Sequence, residues 1–338
     1  MKSAFRLGLG LGLAALLLWF AARGVDGPAF WAALGRARGL ELALVVVLTA
    51  LMYVIRAMRW RLLLPPLKDA SILDLFGITN IGFMSGLFIP RAGEILRPYL
   101  AARRYKVTVS AGFASIVLER LIDLITVLFL LSLYMFVLPR PAMERSDEIM
   151  DRLRAGAGLV FAIAIAGLLF LAALRTEGGM ARRLLDGILG FLPKSVSAKV
   201  SDLVGSFIAG LDVFGSSPAQ WVRLAGESLL LWGMIGLIIH LNSIAFGFNL
   251  PFHTAFLIIA FLTVGVAIPT PGMVGGFHAS YTLALTAIYG ISKDKAIAAG
   301  LVLHALQNLP VLILGIAFLG REGLSFGSMR RITERSST

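Results

Sequence analysis

Ile89-Pro90-Arg91-Ala92-Gly93-Glu94-Ile95-Leu96-Arg97 interrupts an apolar region running from residue 72 to 102, and Ile268-Pro269-Thr270-Pro271-Gly272 interrupts a second, residues 251–291. A proline removes a backbone donor, and a glycine close by frees the chain to turn. Each region therefore reads as two half-helices meeting at a tip, a re-entrant hairpin. Irregular backbone of this kind survives inside a bilayer only where protein buries it or a cavity meets it.

Composition says that a bilayer is the solvent. Of 338 residues, 58% are hydrophobic and 15% charged, with mean hydropathy +0.87, against about 45–50% and about 25% in soluble domains. That excludes a soluble enzyme or a disordered tail. Unbroken apolar stretches of bilayer length, about 17–25 residues, fall at 5–22, 40–55, 107–138, 157–174, 224–246 and 296–319. The formal charge of +12 would suggest nucleic acid in a soluble protein. Here it reads as positive-inside bias and attraction to anionic lipid, and no nucleic-acid partner is expected. With no cysteine, disulfides and thiolate metal sites are excluded.

Charge sets the topology. With six full spans, two re-entrant hairpins and the N-terminus inside, 19 of the 31 Lys and Arg fall on the cytoplasmic side, Arg56, Arg59 and Arg61 among them. Nine fall outside and three within the membrane. This bias supports cytoplasmic termini, and eight to ten full spans stay open as the alternative. The first apolar run exceeds the about 7–15 residues of a signal-peptide core, which favours an uncleaved helix. In the segment 178–215, Val200, Leu203, Val204, Phe207, Ile208 and Leu211 share one helical face, as in a helix lying on the cytoplasmic surface.

The two halves resemble each other. Ile116-Val117-Leu118-Glu119-Arg120-Leu121-Ile122-Asp123-Leu124 aligns with Leu301-Val302-Leu303-His304-Ala305-Leu306-Gln307-Asn308-Leu309, and each block follows an Ile-Pro-x-x-Gly tip. Span, broken hairpin and span recur in that order, and the extra span at 157–174 inverts the second unit. Inverted repeats of this design place substrate near the midplane, at broken helices.

Six ionisable residues interrupt the apolar pattern of the first repeat: Arg91, Glu94, Arg97, Glu119, Arg120 and Asp123. At about 2.5–3.5 kcal/mol each near a helix centre, six uncompensated would cost on the order of 15–20 kcal/mol, more than the usual net stability of about 5–15 kcal/mol. They must pair or face water, and three positive with three negative charges predict a neutral cluster. Arg91, Glu94 and Arg97 follow at i, i+3, i+6; Glu119 and Asp123 share a face, with Arg120 turned about 100° away. Arg91 or Arg97 is the cation expected between the two carboxylates. An architectural salt-bridge network is the competing reading. Helix N-termini near Ala92 and Gly272 would aim positive dipole ends at the midplane, where phosphate is the natural guest. The second half offers polar partners, with His278 near its tip and His304 and Asn308 in the places of Glu119 and Asp123. A lone histidine in an apolar helix is more often a hydrogen-bonded core residue.

Taken together, Pro90-Arg91-Ala92-Gly93-Glu94-Ile95-Leu96-Arg97, Glu119-Arg120-Leu121-Ile122-Asp123 and Pro269-Thr270-Pro271-Gly272 resemble the lysylphosphatidylglycerol synthase transmembrane-region family, over residues 40–320. The resemblance implies a flippase-like protein that moves an aminoacylated phosphatidylglycerol, or an isoprenoid lipid, between leaflets of a bacterial-type cytoplasmic membrane. Two departures matter: Met273 follows Pro-x-Pro-Gly where the family has a second glycine, and His278 stands where a glutamate is usual. The sequence ends at Thr338, so lysyl-lipid synthesis is not expected of it.

Other chemistry is scarce. There is no P-loop, no H-E-x-x-H run and no cysteine for a zinc site, so no cofactor or metal is expected. Gly323-Leu324-Ser325-Phe326-Gly327 fits G-x-S-x-G by chance, with no histidine downstream. Spacings such as Gly82–Gly86 and Gly272–Gly276 mark close helix packing and leave a homodimer open.

The sequence thus predicts an all-α polytopic membrane bundle, one integral membrane domain with two re-entrant broken-helix hairpins in an inverted repeat. Residues 1–39 form the first span and loop, 40–138 the first repeat, 139–223 a connecting span and amphipathic segment, 224–320 the second repeat and 321–338 a cytoplasmic tail. The expected role is a non-enzymatic lipid flippase, with small-solute transport and a membrane-embedded enzyme as alternatives. The expected partner is a phospholipid or polyprenyl phosphate. Its substrate-binding set is Arg91, Gly93, Glu94, Arg97, Glu119, Arg120, Asp123, Thr270, Pro271, Gly272, His278, His304 and Asn308.

Overall fold

The computed structural model describes residues 2–63, 70–105, 107–139, 179–191, 218–323, position 327 and scattered single positions between 151 and 201. The expected span at 157–174, the patterned face from Val200 to Leu211 and most of the tail lie outside the described residues. Those described form helices and turns with no strand among them: an all-α integral membrane protein.

Helix α1 (Lys2–Ala22) is followed by a short α2 (Gly27–Gly35), with a bend of 91° between them. α3 (Gly39–Leu63) leads to α4 (Ile72–Phe88) and α5 (Ala92–Tyr105), then α6 (Val109–Phe136), which the Thr108 side chain caps by accepting from Ala111 N. After α7 (Met180–Gly190) come α8 (Pro218–Ala245), α9 (Thr254–Val266), α10 (Gly276–Leu283) and α11 (Lys293–Arg321). By length and apolar character α3, α8 and α11 can each cross a bilayer. α6 is 28 residues long and carries Glu119, Arg120 and Asp123 in its middle. α3 packs along α8, and α4 lies against both α5 and α11.

α3 corrects the sequence reading. The second span ends at 55 in the hydropathy pattern, yet the helix continues to Leu63, so Arg56 and Arg59 belong to the buried interior and not to a cytoplasmic loop. Hydropathy counts an arginine as a stop, whereas these two meet carboxylates and aromatic rings that let the helix go on.

Both expected breaks are present. α4 and α5 fold back on each other around the Ile89–Arg91 tip, and Asp74 at the start of α4 meets Arg104 (2.8 Å) and Tyr105 (3.0 Å) at the end of α5. Arg104 also holds Glu322 beyond α11 at 2.6 Å, which ties three helix ends together. α9 and α10 form the second hairpin. Each hairpin closes on a glycine pair at the same spacing along the chain: Gly82 with Gly93, and Gly265 with Gly276. A Cβ on Gly93 would lie 2.5 Å from the Gly82 carbonyl oxygen, and one on Gly276 would overlap the Gly265 carbonyl. The second tip departs from expectation. Gly272 (φ 60°), Met273 (φ 59°) and Gly275 (φ 87°) are left-handed, so the helix begins at Gly276 and its positive end is not at Gly272.

Gly93→Ala and Gly276→Ala should each destabilise the fold by about 1–3 kcal/mol, the cost of overpacking. Gly233→Ala in α8, with nothing within 4 Å of a new Cβ, should not. Thermal unfolding in detergent checks this; equal behaviour of the three variants would contradict the close hairpin contact.

Candidate functional site

The two tips meet: Gly272 approaches Leu87 at the end of α4. Between them opens a cavity of about 360 Å³. α4 contributes Phe83 and Gly86, the first tip Pro90 and Arg91, α5 Gly93, Glu94 and Arg97, and α6 Arg120, Asp123, Leu124 and Val127. Trp232 of α8, Thr263 and Val266 of α9, and residues 267–270 with Met273 complete it. One side is charged and the other apolar.

Glu119 lies behind the charged side, 1% exposed. Arg97 grips it bidentately, Nη1 to Oε1 at 3.2 Å and Nη2 to Oε2 at 2.7 Å. Arg120 Nη2 donates to Oε1 at 2.7 Å, and Arg59 Nη2 stands 3.8 Å from the same oxygen. Arg59 Nη1 reaches Asp123 Oδ1 at 2.6 Å, and the Trp232 indole N–H donates to that oxygen at 3.0 Å. Arg120 Nη1 is 3.6 Å from Asp123 Oδ2, which has no hydrogen-bond partner. Beneath the Arg97 guanidinium lies the Trp60 ring, 4.4 Å from its centroid, and Trp60 Nε1 donates to Ser115 Oγ at 3.0 Å.

This arrangement revises several expectations. Arg97 is indeed the cation on Glu119, but Arg59 serves Asp123. Arg120 leaves its helix about 100° from the face of Glu119 and Asp123, and its long side chain folds back to hold both carboxylates. Arg91 and Glu94 are exposed and sit in the cavity lining, and no ion pair holds Arg91 among the described residues. Arg91 is left-handed, φ 61°, at the very tip. The cluster is also not neutral. Among the described residues Arg59, Arg97 and Arg120 share two carboxylates, Glu119 and Asp123, Arg56 is buried nearby without an ion pair, and Arg91 with Glu94 adds no net charge at the mouth.

From the second half, Thr270 lines the cavity and braces the tip by donating to the Val274 carbonyl at 2.8 Å. Pro271, Gly272, His278, His304 and Asn308 stand off the cavity. His304 Nε2 meets the Gly272 carbonyl at 2.8 Å, and His278 Nδ1 accepts from Gly275 N at 3.3 Å. Asn308 donates to its own helix at the His304 carbonyl. Arg56, Arg59, Trp60, Phe83 and Trp232 were not in the expected set. The signal for the first three was present: Leu62-Leu63-Leu64 resumes the apolar run, Arg56 falls on the helical face of Tyr53 and Trp60, and Arg59 follows Arg56 at i, i+3.

The profile of the lysylphosphatidylglycerol synthase transmembrane region matches residues 7–315. The chain belongs to this family. A glycosyltransferase, AglD of Haloferax volcanii, is 22% identical over 332 residues, covering 91% of this chain and 53% of that protein. The chain thus spans about half the length of this curated relative. Family membership accords with the intramembrane charges, since the motifs that carry the resemblance supply Arg91, Arg97, Glu119, Arg120 and Asp123. Among the described residues no cluster of metal-ligating side chains occurs.

Removing one partner of a buried ion pair strands the other, at about 3–5 kcal/mol. Arg59→Met and Asp123→Leu should each cost about that much, and the double variant should recover most of the loss, as read by thermal unfolding. Additive losses would mean that the 2.6 Å contact does not couple the two helices.

Proposed function

We propose that this protein moves an anionic lipid headgroup across the membrane, and that the two hairpins are the re-entrant elements of an inverted repeat which admit it to the cavity. The observation that carries the reading is the surplus of guanidinium over carboxylate beside a cavity whose other side is apolar. Buried cations without counter-ions are costly in a low-dielectric site, so such a site favours an anion. Arginine also suits the oxygens of a phosphate by its planar fork of donors. A volume at the small end of ligand cavities, about 300–1,000 Å³, holds a headgroup and leaves acyl tails in the bilayer.

In this scheme Arg91 and Arg97 bind phosphate at the tip, with Gly93 allowing close approach and Arg120 adding charge. Glu94 accepts from a hydroxyl or ammonium group of the headgroup, and Asp123 Oδ2, buried without a hydrogen bond beside Arg120, is a second acceptor. Both oxygens of Glu119 are occupied by arginines, which makes it an anchor. Thr270 and Met273 close the far side, and Pro271, Gly272, His278, His304 and Asn308 hold that tip in shape. The membrane is a bacterial-type cytoplasmic membrane with both termini inside, and the activity is transport, not catalysis. An aminoacyl-phosphatidylglycerol-like lipid is the first substrate class. A polyprenyl phosphate is the second, favoured by the bare phosphate that surplus arginines suit and by the relative named a glycosyltransferase.

Arg91→Gly tests the reading. It removes the guanidinium while giving φ 61° to the residue that tolerates it. Fluorescent phosphatidylglycerol, its lysyl form and a polyprenyl phosphate would be compared for leaflet exchange in proteoliposomes. Exchange selective for one headgroup should fall at least about tenfold, the scale of one charge-assisted contact, with the melting temperature unchanged or raised. Exchange unaffected by the variant would overturn the assignment, and turnover of a lipid in detergent, where no leaflets exist, would favour an enzyme.

A further inference from the structure

Arg56 is the buried cation that the cluster does not use. It is 9% exposed, Nε and Nη1 are buried without partners, and among the described residues no carboxylate lies within ion-pair distance. Its guanidinium is stacked on the Phe83 ring, Cζ 5.0 Å from the centroid. Arg97 Cζ lies 5.7 Å from the same ring. Phe83 lines the cavity and Arg56 does not. One aromatic side chain therefore separates the cavity from an arginine with unused donors.

We propose that Arg56 is a second anion-binding station, closed off by Phe83, to which a phosphate group moves from Arg91 and Arg97 when the ring turns aside. The inference rests on the transport reading for its direction of movement; the binding site itself does not need it. Asp123 is close enough to offset part of the Arg56 charge, but among the described residues the two make no hydrogen bond or ion pair, and Asp123 Oδ1 is taken by Arg59 and Trp232. A ring face is a weaker partner for a guanidinium than a phosphate oxygen, so exchanging the one for the other is downhill. The ring has room to leave. Gly86, one turn further along α4, also lines the cavity and has nothing within 4 Å of its Cβ position. Rotation about the side-chain bonds of Phe83 would join the two stations with no change in backbone.

The test uses the full-length protein in detergent and calorimetric binding of two probes, dihexanoyl phosphatidylglycerol and inorganic phosphate. Phe83→Ala should tighten binding by about tenfold, the scale of one charge-assisted hydrogen bond, and adding Arg56→Met should cancel the gain. Arg56→Met alone should keep its melting temperature, since an unpaired buried charge replaced by an apolar side chain of similar length leaves nothing stranded. A gain for the lipid probe alone assigns the station to a headgroup phosphodiester; a gain for phosphate alone assigns it to the free anion. No gain in Phe83→Ala, or a gain that persists in the double variant, overturns the proposal. So does a lowered melting temperature of Arg56→Met with unchanged binding, which would make Arg56 structural. Binding that depends on Arg91 but ignores Phe83 and Arg56 sinks this inference and spares the transport reading; no binding of either probe by the unaltered protein sinks both.

Discussion

Glu119 is the fixed point of this molecule. A carboxylate 1% exposed inside a membrane bundle is tolerated only if cations surround it, and those cations are tolerated only if the carboxylate is there. Arg97 comes from α5, Arg120 from α6 and Arg59 from α3, so one side chain locks the returning arm of the first hairpin to two long helices. The consequence is positional. With Arg97 pinned between Glu119 and the Trp60 ring, its stem packs against Gly82, and the hairpin tip that bears Arg91 is held at the cavity mouth.

The same bonds divide the charged residues by role. A carboxylate whose oxygens each accept from arginine has little left to offer a ligand, while Asp123 Oδ2 is buried without a hydrogen bond, with Arg120 Nη1 3.6 Å away. Arg91, left-handed at the tip and without an ion pair among the described residues, is the opposite case. Its backbone is strained where glycine would not be. The cluster therefore holds both atoms fixed by ion pairs and atoms that carry no bond of their own.

Much of this was legible in the sequence, and the failures have a common cause. Proline and glycine at Ile89–Gly93 and Ile268–Gly272 located both breaks, and the cost of intramembrane charge located Arg97, Glu119, Arg120 and Asp123. Arg56 and Arg59 were misplaced because a hydropathy window treats any arginine as the end of a span. Partners on α4 and α6 decide otherwise, and those lie far along the chain. Arg120 stands about 100° from the carboxylate face by helical angle, yet a side chain of that length reaches around its own helix to hold both carboxylates. Trp232 gave no signal, since a tryptophan in an apolar helix is ordinary until Asp123 is found beside it.

The two tips solve the same physical problem differently, and the difference bears on what each can do. Irregular backbone inside a bilayer must find partners for its polar groups. The second tip finds them at home: the Thr270 hydroxyl on the Val274 carbonyl, His304 on the Gly272 carbonyl, and Gly275 N–H on His278 Nδ1. His278 occupies a place where the family resemblance leads one to expect glutamate. As an acceptor for the turn it replaces a carboxylate without bringing a negative charge, and so leaves the arginine surplus of the neighbouring cavity uncompensated. A tip without charged side chains thus faces the arginine-rich side of the cavity, and within it His278 Nε2 stays buried without a partner. Among the described residues every charged side chain that lines the cavity comes from the first half, so the charge that a ligand there would meet is set by the first hairpin and α6 and not by the second tip.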